Sequence, residues 1–200
     1  MRKISGIDYS LNSPAICICE EQNDRRFDFN MCTYHFISND KKRRWRWTTD
    51  ENLSNFIPYP PFENYLSETD RYDMISTWAI QLLLHCDHVV IEDYSYGSVG
   101  RVFNIAENMG LLKYKLWEAK IPFTTIAPTS IKKFATGKGN ASKVDMYETF
   151  VKETDMRFLE DASPPYAPHS APLTIPNPLS DIVDSYFIAK WGIFNIDNEK

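Results

Sequence analysis

The chain has 200 residues, a formal charge of −5 at pH 7, 43% hydrophobic residues and 14% aromatics. This excludes a disordered chain and allows one domain with a sizeable core, while the acidic balance argues by itself against a nucleic-acid binder. No apolar run of about eighteen residues and no signal-peptide core is present, so the expectation is an intracellular, cytoplasmic protein with no membrane partner.

The first stretch, Lys3 to Cys19, reads as two short strands joined by the polar turn Ser10-Leu11-Asn12-Ser13-Pro14. Asp8 closes the first strand. It either opens the turn, or it lies in the sheet and needs a partner, a proton or a metal. The four cysteines, Cys17, Cys19, Cys32 and Cys86, lack zinc spacing and read as buried reduced thiols; His35, His85, His88 and His169 form no ligand motif.

Arg26 to Ile37 alternates as a third strand. Residues 38–64 read as a basic-aromatic insertion containing Lys41-Lys42-Arg43-Arg44-Trp45-Arg46-Trp47 and a proline-punctuated excursion. The basic run suits either a charged edge hairpin that discourages aggregation or an arm that tracks phosphates and stacks on bases. Tyr65 to Cys86 has helical periodicity, and Val89 to Ile91 is a short, doubly covered strand closed by Glu92.

Past Gly97-Ser98-Val99-Gly100, Val102 to Ala119 reads as a helix with Phe103, Ala106, Met109, Leu116 and Trp117 on its packed side. Gly110 within it suggests close packing. Ile121 to Ile126 is a strand and Ser130 to Phe134 a short helix. The loop Ala135 to Lys143 holds Gly137-Lys138-Gly139 and precedes a helix over 143–152. It is either an ordinary loop or a phosphate contact through backbone N–H groups. Between Leu111 and Lys143 stand seven lysines and one acid, Glu118, so positive potential is local even though the chain is acidic.

Ser163 to Leu179 carries six of the twelve prolines and reads as an irregular loop. The final helix, Ser180 to Trp191, puts Asp181 and Asp184 on one face. Asp181 as N-cap with Asp184 at the third helical position would form an acidic capping box, which does not exclude metal binding.

Four acids thus stand apart: Asp8, Glu92, Asp181 and Asp184. If the strands holding Asp8 and Glu92 are neighbours and the last helix packs on them, the four carboxylates converge. They would repel one another unless divalent cations neutralised them. Oxygen ligands favour Mg2+, with Mn2+ as a substitute, and two such ions about 4 Å apart suit phosphodiester hydrolysis.

The ordered series Gly6-Ile7-Asp8, Ile91-Glu92, Gly137-Lys138-Gly139-Asn140-Ala141-Ser142-Lys143 and Asp181-Ile182-Val183-Asp184 resembles the RuvC-type Holliday junction resolvases of the RNase H-like superfamily. The resemblance implies one α/β domain over 1–200, with a central five-stranded mixed sheet flanked by helices. It also implies a homodimer and magnesium-dependent, symmetric incision of four-way DNA junctions. Asp8, Glu92, Asp181 and Asp184 would be metal ligands. Lys143 would approach the scissile phosphate, Lys138 would contact backbone phosphate, and Tyr94 or Tyr96 would be the wedge at the junction centre.

Tyr9-Ser10 replaces the Pro-Gly usual in bacterial members, and with the Lys41–Trp47 arm this looks more like divergent viral or phage relatives, acting in a host cell. Alternatives are an RNase H-like nuclease of broader substrate range, such as one used in genome packaging, and an inactive junction-binding protein. Asp93 is set aside because it should face away from Glu92; Asp145 stays a candidate ligand. Neutralising Lys41, Lys42, Arg43, Arg44 and Arg46 is expected to weaken DNA binding and flatten its salt dependence, read by titration at several salt concentrations. Unchanged affinity and slope would mark the run as a surface hairpin.

Overall fold

Successive residues of a strand face opposite sides of a sheet, and the two apolar sets of the first strand serve two different cores. The computed structural model describes residues 2–21, 27–38, 53–94, 102–158 and 174–196. Its strands are β1 (Arg2–Asp8), β2 (Ala15–Glu21), β3 (Cys32–Ile37), β4 (Phe56–Tyr59), β5 (His88–Glu92) and β6 (Phe123–Ile126). They form one sheet in the order β4-β3-β2-β1-β5-β6. β1, β2 and β3 pair antiparallel in sequence, whereas β5 lies parallel to β1, β6 to β5, and β4 to β3.

The mixed sheet is as expected but has six strands rather than five. The extra one is β4, cut from the stretch read as a surface excursion. Pro58 lies within β4, and an edge position tolerates a residue that cannot donate to a ladder. The strand read over 26–37 is shorter than expected, because Phe29–Met31 coils into a 3-10 turn held by the Asp28 carboxylate.

Among the described residues five helices flank the sheet: α1 (Glu68–Leu83), α2 (Val102–Glu118), α3 (Pro128–Thr136), α4 (Lys143–Thr154) and α5 (Leu179–Asn195). One core joins Ile4 and Val90 to Ile131 of α3, Phe150 of α4 and Ile182 and Phe187 of α5. The other joins Ile7, Val89 and Ile91 to Trp78 of α1 and Leu112 and Leu116 of α2. The four cysteines are buried and free, as expected.

Helix α2 packs through Asn108, Met109, Leu112 and Leu116. Phe103 and Trp117, expected on its packed side, are 80% and 70% exposed. Gly110 also departs from expectation: a Cβ there would meet no described atom within 4 Å. The aromatic residues drew the apparent stripe toward solvent, since periodicity does not distinguish a buried apolar side chain from an exposed one.

The close approach lies elsewhere. A Cβ on Gly6 would fall 2.1 Å from the Ala189 backbone nitrogen and 2.5 Å from the Ser185 carbonyl oxygen of α5. A Cβ on Gly192 of α5 would fall 2.8 Å from Cγ2 of both Ile4 and Val90. The helix therefore rests almost directly on β1 and β5. Gly6→Ala is expected to cost about 3 kcal/mol or more by overpacking, and to lower the melting temperature by roughly 6–12 °C in a thermal denaturation series.

Candidate active site

The same strand parity that gives each core its residues also aims the acids. Ile4, Gly6 and Asp8 share one face of β1, and Val90 and Glu92 share the same face of β5. Register pairs Ile7 with Ile91, so the chain ends of β1 and β5 set Asp8 beside Glu92 beneath α5. Helix α5 begins at Leu179, with Pro178 at the cap position and no side-chain cap. Asp181 is consequently the third helical residue, not the N-cap, and the acidic capping box does not form. Proline suits a helix start because its missing N–H is not needed there. Asp181 is thereby released to face the sheet, with Asp184 one turn further along.

Electrostatics shows how closely the four acids are gathered. Burial raises the Asp8 carboxyl well above the usual carboxylate range, and the charges of Asp181, Glu92 and Asp184 raise it further. Glu92 is pushed up to about 8, by burial first and then by Asp184. Asp184 is pushed up to about 7 by burial and by Asp181. Burial also raises Asp181, but hydrogen bonds and Lys143 oppose it, and Asp8 lies within hydrogen-bonding reach. Two lysines offset the negative potential: Lys143 acts on all four acids, and Lys132 of α3 acts on Glu92 and Asp184.

A cleft of about 400 Å³ opens beside these groups, lined in part by Asp8, Glu92, Tyr94, Ile105 and Met109. Tyr94 stands on its rim with Lys113 over the ring at 5.9 Å. Asp93 follows the end of β5, so strand parity does not govern it; it lines the same cleft and pairs with Lys113 of α2 at 3.8 Å. Lys143 donates to Ser180 Oγ at 3.0 Å, which seats its ammonium beside the acids. Lys138 is not drawn into this group; it lines a separate 250 Å³ depression with Asp145, Glu148 and Lys152. Asp145 is committed to a capping box with Ser142, accepting from its N–H at 2.7 Å, and does not join the other acids. Tyr96 and the residues Lys41, Lys42, Arg43, Arg44, Trp45 and Arg46 lie outside the described residues.

Lys132 and the polar side chains Ser13, Asn177 and Ser180 went unassigned in the sequence. A lysine in a short amphipathic helix and serines beside prolines carry no local mark of a site. Only Lys132's place in the lysine-rich 111–143 segment pointed toward it.

Among the described residues no three His, Cys, Asp or Glu side chains stand in a ready-made metal-binding geometry. The donor set nevertheless fits a hard divalent cation, being all oxygen and over-supplied with negative charge.

No family model matches the sequence. The fold, however, is found among solved structures. Thermus thermophilus RuvC is 13% identical, with a TM-score of 0.59 over 98% of this chain and 96% of that chain. T. thermophilus RuvC in complex with a Holliday junction substrate is 13% identical, with a TM-score of 0.61 over 98% and 95%. A Fowlpox virus resolvase complexed with Holliday junction DNA is 16% identical, with a TM-score of 0.46 over 97% and 98%. The chain has an RNase H-like α/β fold. Within that class the arrangement is that of RuvC, in agreement with the resemblance read from the motifs.

The raised acids make stability depend on pH with a definite sign. Unfolded carboxylates lose their protons near pH 4, whereas Asp184 and Glu92 hold theirs in the fold to about pH 7 and 8. Their contribution is therefore fully present below the ordinary carboxylate range and is lost as pH rises toward 8. The metal-free protein is expected to melt at a lower temperature at pH 8 than at pH 5. Asp184→Asn should raise the pH 8 melting temperature by roughly 2–4 °C, as about 1 kcal/mol does in a domain of this size, and leave the pH 5 value unimproved.

Proposed function

We propose that this protein is a metal-dependent endonuclease of the Holliday junction resolvase type, hydrolysing phosphodiester bonds in four-way or branched DNA. The observation that carries the reading is the convergence of Asp8, Glu92, Asp181 and Asp184, with Lys143 and Lys132 beside them, at the end of a RuvC-like sheet. Four buried carboxylates are a poor device for stability alone, since each resists ionisation in the presence of the others.

In this reading the four acids hold Mg2+, or Mn2+ in its place. When bound, the metal supplies the positive charge that lets all four ionise together, activates water and steadies the departing 3′ oxygen. The protein's own groups do the rest. Asp8 and Glu92, fixed on adjacent strands, and Asp181 and Asp184, fixed one turn apart on α5, define the place where phosphate can enter. Lys143 offsets charge developing on the phosphate as water oxygen bonds to phosphorus and the P–O3′ bond breaks. Lys132 adds positive potential on the Glu92–Asp184 side.

In this reading Tyr94, which lines the cleft, would meet an unpaired or unstacked base at the branch point, and Lys138, in the separate depression, would meet backbone phosphate further out. A homodimer would present two such sites to a symmetric junction, which is how paired incisions arise. The chain's acidic balance is compatible with this, because local rather than net charge governs phosphate binding, and Lys143 and Lys132 bring positive potential to the acids themselves.

Incision of a labelled four-way junction and of a matched linear duplex, with Mg2+, tests the reading. Paired nicks on the junction alone are expected. Asp8→Asn should slow them by about 1,000-fold while junction binding persists. Equal cutting of the linear duplex would widen the function to a general DNA nuclease, and binding without cutting by the wild type would sink the nuclease reading.

A further inference from the structure

Asp181 and Lys143 belong to different helices and have opposite charge, yet they are not joined by a direct ion pair. They are joined by three uncharged side chains. Lys143 Nζ donates to Ser180 Oγ at 3.0 Å, and Ser180 Oγ donates to Asn177 Oδ1 at 2.7 Å. Asn177 Nδ2 donates to Ser13 Oγ at 3.0 Å, and Ser13 Oγ donates to Asp181 Oδ2 at 2.5 Å.

Each hydroxyl has one proton, so the direction of this chain is determined by its ends. Lys143 is a donor only, and the Asp181 carboxylate accepts. Reversing the Asn177 amide would bring its carbonyl against Ser13 Oγ, whose only proton is already given to Asp181. Ser180 also lies 3.2 Å from Asp181 Oδ1, a longer alternative for the same proton. Bonds aligned head to tail polarise one another, and the cation at one end and the anion at the other reinforce the alignment.

The mounting is rigid. The turn bearing Ser13 is tied by Ser13 N donating to Ser10 Oγ at 3.0 Å, which leaves the Ser13 hydroxyl for Asp181. Arg71 of α1 clamps the same turn, donating to the Leu11 carbonyl at 2.9 Å and to Asn12 Oδ1 at 2.6 Å. Ser13, Ser180 and Asp181 are buried, and Ser13 and Asn177 both line the cleft that holds Asp8 and Glu92.

We propose that Ser13, Asn177 and Ser180 are positioning residues, a hydrogen-bond relay that holds the Asp181 carboxylate in the orientation needed for a divalent cation and aims Lys143 at the same site. The proposal rests on the metal-dependent reading above. Without the relay, Asp181 would be free to rotate away from its acidic neighbours, which repel it. With the relay, one of its oxygens is occupied and the carboxylate plane is set before any cation arrives. Partners of this kind behind a ligand characteristically change metal affinity by about 10–100-fold.

The test is titration of Mn2+ alone into metal-free protein, without DNA, followed by calorimetry or by the electron paramagnetic resonance of the free ion. Ser13→Ala and Asn177→Asp should each weaken Mn2+ binding by about 10–100-fold. Asn177→Asp preserves shape and the acceptor for Ser180 but removes the donor to Ser13, so it serves if Ser13→Ala fails to fold. Ser13→Thr keeps the hydroxyl and should restore binding. Ser13→Ala combined with Asn177→Asp should be no weaker than the worse single variant, because members of one chain are not additive.

In the same variants junction incision should slow by a similar factor with junction affinity unchanged. Wild-type Mn2+ affinity in both variants overturns the relay. Mn2+ binding that the variants weaken, in a wild type that cuts no DNA, supports the relay and overturns only the nuclease reading. No Mn2+ binding by the wild type overturns both.

Discussion

Helix α5 and the β1–β5 pair approach so closely that there is no room for a Cβ at Gly6 of the strand or at Gly192 of the helix. Gly6 admits the helix backbone to the strand, and Gly192 admits Ile4 and Val90 to the helix. The rest of the molecule is arranged around that contact. It places the first turn of α5 over the ends of β1 and β5, where the strand parity of Asp8 and Glu92 aims both acids at Asp181 and Asp184. A helix held farther away by a larger residue would leave the two pairs of acids separated. The contact is thus a packing constraint in its local chemistry and a positional one in its effect on the site.

That geometry creates an electrostatic conflict which the fold only partly relieves. Hydrophobic burial of α5 and the central strands brings four carboxylates into one region, where burial raises all of them and the neighbouring acids raise Asp8, Glu92 and Asp184 further. Lys143 and Lys132 offset part of the charge, and the hydrogen bonds of Ser13 and Ser180 offset part of the burial of Asp181. The remaining excess of negative charge is what a divalent cation would offset. Asp93, one residue from Glu92, pairs with a single lysine and faces the cleft from outside the cluster.

Much of the fold was legible because apolar periodicity is a local signal. The alternation through Ile4 and Ile7, the apolar run Val89 to Ile91 and the spacing of Tyr72, Ile75, Trp78 and Ala79 all mark elements that formed. Edges were less legible. β4 was hidden by Pro58 and by the proline-rich context, since a proline is compatible with an edge strand but does not indicate one. The buried side of α2 was misjudged through Phe103 and Trp117, because a large aromatic side chain suits an exposed surface as well as a core. The Ser142–Asp145 capping box took a candidate ligand out of contention, and Pro178 took the cap position expected of Asp181.

By itself the sequence determined which acids stand at the ends of apolar segments, and therefore set Asp8, Glu92, Asp181 and Asp184 apart, while Lys143 joined them only through the resemblance of the motif series. It did so because an acid beside a buried run is conspicuous wherever it lies. Tertiary structure decided what those residues meet. The register of β1 against β5, the start of α5 at Leu179 and the closeness that Gly6 and Gly192 permit are properties of pairing between segments far apart in the chain. The contribution of Lys132 and the chain of hydrogen bonds through Ser13, Asn177 and Ser180 arise in the same way. A serine or an asparagine has no long-range preference of its own, so its partner is set only when the packed helices bring one within about 3 Å.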